Sequence, residues 1–128
     1  MLVLGLVLAG VAAAIHVYIW LLESFSWTSA RARATFGTTA GEAAATRELA
    51  FNQGFYNLFL AVVVGVGIVL TATARVGAGA ALVFAGTGSM VAAGTVLLVS
   101  SPTKAASALK QLVPPLLAVV ALWVGLAS

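Results

Sequence analysis

The sequence predicts an all-α protein, a four-helix transmembrane bundle with a longer first loop on the cytoplasmic side. Of its 128 residues, 62% are hydrophobic and only 7% are charged, against about 25% charged in an ordinary soluble domain. Six basic and three acidic side chains are too few to cover the surface of a soluble protein of this size. Because a membrane-spanning helix needs about 20 apolar residues, four such helices with short loops fill the chain as one domain, 1–128.

Four apolar runs give the expected spans, at about 2–22, 49–74, 76–99 and 103–127. For the first run we expect an uncleaved helix and not a secretion signal. No Lys or Arg precedes it, and its apolar character continues past Ala14 to Leu22, beyond the short core of a signal peptide.

The loops contain signals for helix starts and for the membrane interface. Thr39 and Glu42 have the spacing of a capping box, which predicts a helix leading into the second span. Trp27 and Phe36 suit the headgroup region as interfacial anchors. In the third loop, Ser101-Pro102 predicts an N-cap followed by proline at the first helical position.

The basic residues predict the orientation of the bundle. Loops one and three lie on the same side and carry Arg31, Arg33, Arg47 and Lys104, whereas the other side carries only Arg75. Basic residues concentrate in cytoplasmic loops. We therefore expect loops one and three to be cytoplasmic and both termini to lie outside.

Small residues recur every fourth position in the third span. This stripe consists of Gly77, Ala81, Ala85, Ser89 and Ala93. Such a surface lets helix backbones approach closely. It predicts a packing face, either inside the bundle or between copies in a homo-oligomer.

Polar side chains inside the spans are costly and need an explanation. They are His16, Trp20, Glu23 and Trp27 in the first span, Asn52, Gln53, Tyr56 and Asn57 in the second, and Lys110 and Gln111 in the fourth. The spacing of the first set puts it on one helix face. At 1.5 Å per residue, His16 is level with Asn57 and Lys110, and Glu23 with Asn52 and Gln53. The pattern predicts one polar cluster in the inner leaflet that lines a binding site.

A purely structural interpretation of this cluster stays open. His16 would then hydrogen bond Asn57 or Tyr56, Glu23 would pair with Lys110, and the polar groups of the second span would join helices. Pro114-Pro115 removes two helical hydrogen bonds and predicts a kink beside the cluster. Broken helices often mark binding sites in transporters, although Ser107 or water would also satisfy the freed carbonyls.

Several classes of function are not expected. The chain has no cysteine and one histidine, so we expect no metal site, haem or other cofactor within one subunit. It has no basic tract, so we expect no nucleic-acid partner. The lipid bilayer is the expected environment.

Some of these residues are familiar from a known family. The stretch His16-Val17-Tyr18-Ile19, the run Asn52-Gln53-Gly54-Phe55-Tyr56-Asn57 and the pair Phe36-Gly37 resemble a family of short bacterial integral membrane proteins, domain of unknown function 1304. The resemblance spans nearly the whole chain and implies four membrane helices in a bacterial cytoplasmic (inner) membrane. It implies no activity. The family usually has Glu before the His, where this chain has Ile15, so a mechanism needing two acids beside His16 is not expected.

Three functions fit this pattern. The first is binding, and transport, of a small molecule or lipid: Glu23 and His16 exchange protons or hold a cationic or polar group, and the remaining polar residues orient it. The second is an isomerase-like enzyme on a lipophilic substrate, with His16 or Glu23 as the base and Tyr56 as a proton donor. The third is an accessory subunit whose polar residues fix the bundle.

Overall fold

The computed structural model describes all residues from Met1 to Ser128 and contains six α-helices and no strand. A single 3-10 turn at Pro102–Lys104 precedes the last helix. The helices are α1 (Leu2–Phe25), α2 (Ala30–Phe36), α3 (Ala40–Ala45), α4 (Arg47–Ala72), α5 (Val76–Ser100) and α6 (Ala105–Ala127).

The four long helices confirm the predicted membrane bundle. Their most apolar stretches have mean hydropathies of 1.7 to 2.4, and each is long enough to cross a bilayer. Large apolar side chains cover the outer faces, among them Val62, Leu117 and Trp123. The bounds differ from the sequence expectation by up to three residues, since α1 continues to Phe25.

The long helices form a ring in which each contacts two neighbours. α1 packs against α4 and α6, and α5 packs against the same two helices from the opposite side. Because the chain reverses at each loop, neighbouring helices are antiparallel. Loops one and three therefore lie together at what we call the loop-one end, and both termini lie at the terminal end.

The terminal half of the bundle is tightly packed. Its core consists of Ala9, Ala12, Val64, Val83, Met90, Ala118 and Leu122, all fully buried. Glycine allows α4 and α5 to approach closely there, since a β-carbon at Gly67 would lie 2.8 Å from the Gly79 carbonyl oxygen. Such contacts stabilise helix pairs in lipid.

Loop one folds back onto the bundle through α2. The hydroxyl of Ser29 accepts a hydrogen bond from the Ala32 amide, and Gly37 ends the helix with a left-handed φ of 65°. Ala32 and Phe36 are buried in an apolar cluster with Ile19 and Leu22 of α1. Burial of this apolar face holds α2 against α1.

The predicted anchoring role of Phe36 is therefore wrong. Its ring is buried and lies 5.2 Å from the ring of Trp27, because α1 offers an apolar surface within reach of loop one. The predicted capping box is present: the Thr39 amide donates to Glu42, and the Glu42 amide donates to the Thr39 hydroxyl. The helix that it starts, α3, ends at Ala45, and α4 begins after Thr46.

The small-residue stripe does not pack inside the bundle. All five of its residues are exposed, whereas Gly79, Gly86 and Gly94 face neighbouring helices. The stripe drifts around α5 because four residues exceed one turn of 3.6. Its alternative role, contact between copies, is not affected by this finding.

The prolines do not break α6. The helix is continuous from Ala105 to Ala127, and Pro115 is fully buried. The hydroxyl of Ser107 donates to the Thr35 carbonyl of α2, so it does not satisfy the carbonyls that the prolines free. Ser101 makes no side-chain cap, and Pro102 begins the 3-10 turn.

Candidate functional site

A cavity of about 540 Å³ occupies the loop-one half of the bundle. All four long helices and loop one line it, and His16 and Leu60 are its lining residues farthest from loop one on α1 and α4. Seven members of the polar cluster predicted from the sequence line the cavity, namely His16, Glu23, Trp27, Gln53, Tyr56, Asn57 and Gln111.

His16 is only 2% exposed, and its single hydrogen bond lies within its own helix. Its Nδ1 is 2.9 Å from the Ala12 carbonyl oxygen. A carbonyl oxygen accepts only, so Nδ1 carries the proton, and Nε2 of the neutral ring is an acceptor. The suggested bond from His16 to Asn57 or Tyr56 is therefore not formed.

Glu23 is 6% exposed and pairs with a neutral amide. Its Oε2 accepts a hydrogen bond of 2.7 Å from Asn57 Nδ2. The suggested partner, Lys110, is exposed and lies outside the cavity. The side chains of Glu23 and Asn57 each lean toward the start of their own helix, so in an antiparallel pair they meet. Glu23 Cβ lies opposite Gly54, whose β-carbon would be 3.1 Å away, within two residues of the level of Asn52 and Gln53 expected from the sequence.

The α1–α4 contact beside this pair depends on Gly54. A β-carbon there would overlap Ser24 Oγ and lie 3.1 Å from Glu23 Cβ. The close approach lets Ser24 Oγ donate to the Phe51 carbonyl at 3.0 Å. Gly54 therefore positions Glu23 against Asn57.

Loop one forms the roof of the cavity. Trp27 Nε1 donates to Thr46 Oγ1 at 3.0 Å, and that hydroxyl donates to the Glu42 carbonyl at 2.7 Å. The hydrogen bonds from the backbone amide and hydroxyl of Thr39 hold the pKa of Glu42 below its ordinary value, with a smaller contribution from the charge of Lys104. Lys104 also lines the cavity, so one cation and one carboxylate lie at the roof.

Three predicted site residues do not reach the cavity. Asn52 and Lys110 are exposed and lie outside the cavity, because each is 100° around its helix from a neighbour, Gln53 or Gln111, that reaches it. Gln53 is itself exposed, so it lines the rim of the cavity. Trp20 packs outside the cavity in the groove between α1 and α4, with ring centroids 5.5 Å from Phe25 and 5.9 Å from Phe55.

The cavity also contains residues that the sequence interpretation missed. These are Phe36, Thr38, Glu42, Thr46, Leu49, Ala50, Leu60, Ala93, Leu97, Lys104 and Ser107. Those of them that belong to loop one reach the cavity because loop one folds back onto the bundle through α2. The helix itself has a sequence signal, with Ser29 before it and Gly37 after it, a typical start and stop.

The arrangement combines hydrogen-bond acceptors with an apolar wall. His16 Nε2 and the Glu23 carboxyl group lie deep, Gln53 and Gln111 add amides, and Leu60 and Leu97 add apolar surface. No group of three His, Cys, Asp or Glu side chains is placed to hold a metal ion. The site can accept hydrogen bonds from a bound molecule and can pair with a positively charged group on that molecule.

Comparison with known proteins identifies the family. The family model described as "Protein of unknown function (DUF1304)" matches residues 10–123. The chain belongs to this family. The match covers every helix that lines the cavity. No curated protein and no solved structure matches the chain.

Proposed function

We propose that this member of the DUF1304 family binds a small organic molecule in the cavity, within the membrane. The observation that carries the proposal is that two buried polar side chains, His16 and Glu23, face one cavity. A volume of about 540 Å³ lies within the usual range of small-molecule sites, about 300–1,000 Å³.

A purely structural role accounts for only part of the cluster. Asn57 joins α4 to α1 through Glu23, as interhelical hydrogen bonds do. His16 joins no helices, because its bond returns to Ala12 of α1. Its second ring nitrogen has no partner in the protein, and it is not one of the polar atoms that are buried without a partner. Nε2 therefore stays open to a ligand in the cavity that donates a hydrogen bond.

Native mass spectrometry of the intact protein in mild detergent tests the proposal. We expect one discrete small molecule to be retained, and to be lost in E23Q and H16A. E48Q is the matched control, since Glu48 is exposed and outside the cavity. Thermal melting establishes that the variants are folded. Retention of assorted lipids only, equally in all four proteins, would contradict the proposal.

Transport is the proposed outcome of binding. Proteoliposomes loaded with the molecule identified by mass spectrometry should then show flux that E23Q abolishes and E48Q preserves. A second candidate, an acid–base enzyme of the isomerase kind, is favoured by the acceptor nitrogen of His16 facing the cavity. It predicts turnover of the bound molecule without a gradient, lost in H16A.

We also propose that the protein lies in a bacterial cytoplasmic membrane with the cavity end toward the cytoplasm. Four basic residues, Arg31, Arg33, Arg47 and Lys104, lie at the loop-one end, and Arg75 lies at the other. This imbalance supports a cytoplasmic position for loops one and three.

The part of the small-residue stripe outside the cavity, Gly77, Ala81, Ala85 and Ser89, is exposed and supports a further proposal, contact between two copies. The hydroxyl of Ser89 bonds the Ala85 carbonyl within the helix, so the face is smooth and has no unsatisfied donor. Substitution of Ala85 with Phe should shift the detergent-solubilised protein toward monomer in analytical ultracentrifugation. An unchanged mass would overturn the proposal.

A further inference from the structure

We infer that the cavity takes a lipophilic amine from the bilayer, through a lateral opening between α4 and α5, and holds its ammonium group at Glu23. This inference rests on the proposed function and names both the class of ligand and its route. Two sets of observations carry it: the seams between the helices, and the chemistry of the buried groups.

Three of the four seams are closed at the level of the cavity. The α1–α4 seam is closed by the Ser24–Phe51 hydrogen bond and the close approach at Gly54. The α5–α6 seam is close at Gly94, where a β-carbon would lie 2.8 Å from Leu112 Cβ. The α1–α6 seam is covered by α2, whose Thr35 carbonyl accepts a hydrogen bond from the Ser107 hydroxyl of α6.

The α4–α5 seam is different. Its close approaches lie at Gly67, Gly79 and Gly86, all toward the terminal end. Nearer loop one, Leu49 and Tyr56 of α4 each line the cavity and yet are 69% exposed. Across the seam, Ala93 of α5 also lines the cavity and is exposed. Residues that belong to both the cavity wall and the outer surface mark its opening.

The depth of the opening points to the bilayer as the source of the ligand. Tyr56 lies nine residues from the start of α4, and Ala93 lies seven residues from the end of α5. At 1.5 Å per residue these are about 14 and 10 Å, below the helix ends and within the apolar spans. A ligand that passes there comes from the hydrocarbon region.

The buried groups select a cation. Glu23 is buried with the amide of Asn57 as its hydrogen-bond partner. A carboxylate in an apolar surrounding is stabilised by a positive charge brought to it. An ammonium group supplies that charge and donates hydrogen bonds, and the aromatic ring of Trp27, which also lines the cavity, favours a cation. Leu60 and Leu97 suit the apolar body of the ligand.

Fluorescence quenching of Trp27 tests the inference. W20F/W123F leaves Trp27 as the single tryptophan, in the cavity wall. In nanodiscs, ω-bromoundecylamine should quench it saturably and bind about tenfold more tightly than ω-bromoundecanol, which has the same chain without the charge. E23Q should remove this preference and E48Q should keep it.

The route is tested in the same background by stopped-flow kinetics. A93F places a large ring at the opening and should slow association of the amine about tenfold. A92F adds the same ring at the preceding residue, which is exposed, outside the cavity and not part of the small-residue stripe, and it should leave the rate unchanged.

Each failure has a separate signature. If neither probe quenches Trp27 saturably, the cavity takes no ligand of this lipophilic class and the inference is wrong, whereas the proposed function is decided by the molecule retained in native mass spectrometry. If both bind equally, or E23Q leaves the preference intact, the cavity binds molecules but does not select amines. If the amine associates with A93F as fast as with A92F, the route between α4 and α5 is wrong.

Discussion

Asn57 joins α4 to α1 through its hydrogen bond to Glu23, and its Nδ2 also donates to the Gln53 carbonyl within α4. Replacing Asn57 with Ala leaves the buried carboxyl group without this donor, and we expect a loss of about 1–2 kcal/mol in the free energy of unfolding. The matched control is N52A, which removes the same side chain from an exposed position of the same helix and should change little. Chemical denaturation in detergent measures both. Equal losses of unfolding free energy in N57A and N52A would show that the hydrogen bond to Glu23 does not stabilise the protein.

Two glycines of α4 have opposite expected responses to alanine. At Gly54 a β-carbon meets Ser24 and Glu23 of α1, whereas at Gly65 nothing lies within 4 Å. G54A should therefore separate α1 from α4 and destabilise the protein by about 1–3 kcal/mol. G65A should be neutral or stabilise it by up to about 1 kcal/mol, because alanine favours a helix. Thermal melting distinguishes the two variants. A higher melting temperature of G54A would show that α1 and α4 leave room for a β-carbon at Gly54.

The identity of inward-facing polar residues followed from the sequence only in part. Residues on an inward face, such as His16, Glu23 and Gln111, were found because hydrophobic surroundings make a polar group conspicuous. Asn52 and Lys110 were included wrongly because a position one residue away turns by 100°, and polarity alone does not fix the angle. Trp20 lies at the edge of its face, where aromatic neighbours on α4 decide its packing.

At the scale of elements, the four spans were predictable and the roof was not. Length and hydropathy define a membrane helix with few alternatives. The seven residues of α2 (Ala30–Phe36) carry too few apolar side chains to predict where this helix packs. Its packing against Ile19 and Leu22 depends on the tertiary fold. The continuous course of α6 through Pro114 and Pro115 likewise depends on neighbouring helices that support it.

The capping box of α3 gives the roof a pH dependence. Its hydrogen bonds from Thr39 lower the pKa of Glu42 from its ordinary value of 4.5. The folded state therefore favours the carboxylate, and the stabilisation is present above pH 4.5 and is lost as the pH falls through the lowered folded pKa. In E42Q the amide keeps an acceptor oxygen but does not titrate. We expect E42Q to show a smaller loss of melting temperature than wild type on acidification below pH 4.5. Parallel curves would show that the box does not contribute to stability.

At the scale of the molecule, the bundle has a tight half and an open half. The terminal half contains the fully buried core, and the loop-one half contains the cavity. Small residues allow backbone contact in the first, and polar residues with a folded-back loop enclose space in the second. The tightly packed half holds the four helices together, and the other half encloses the cavity. The position of the binding site therefore depends on packing in the terminal half and not on loop one alone.

The two ends of the bundle also differ in charge, and this difference predicts an orientation in the membrane that can be tested directly. The loop-one end carries Arg31, Arg33, Arg47 and Lys104, so we expect it to face the cytoplasm. The chain has no cysteine, and T28C and S128C place one thiol at an exposed position of each end. In intact cells a membrane-impermeant maleimide should label S128C and not T28C, and after permeabilisation it should label both. Labelling of T28C alone in intact cells would reverse the orientation and place the cavity on the outer side, where its lateral opening would draw amines from the outer leaflet.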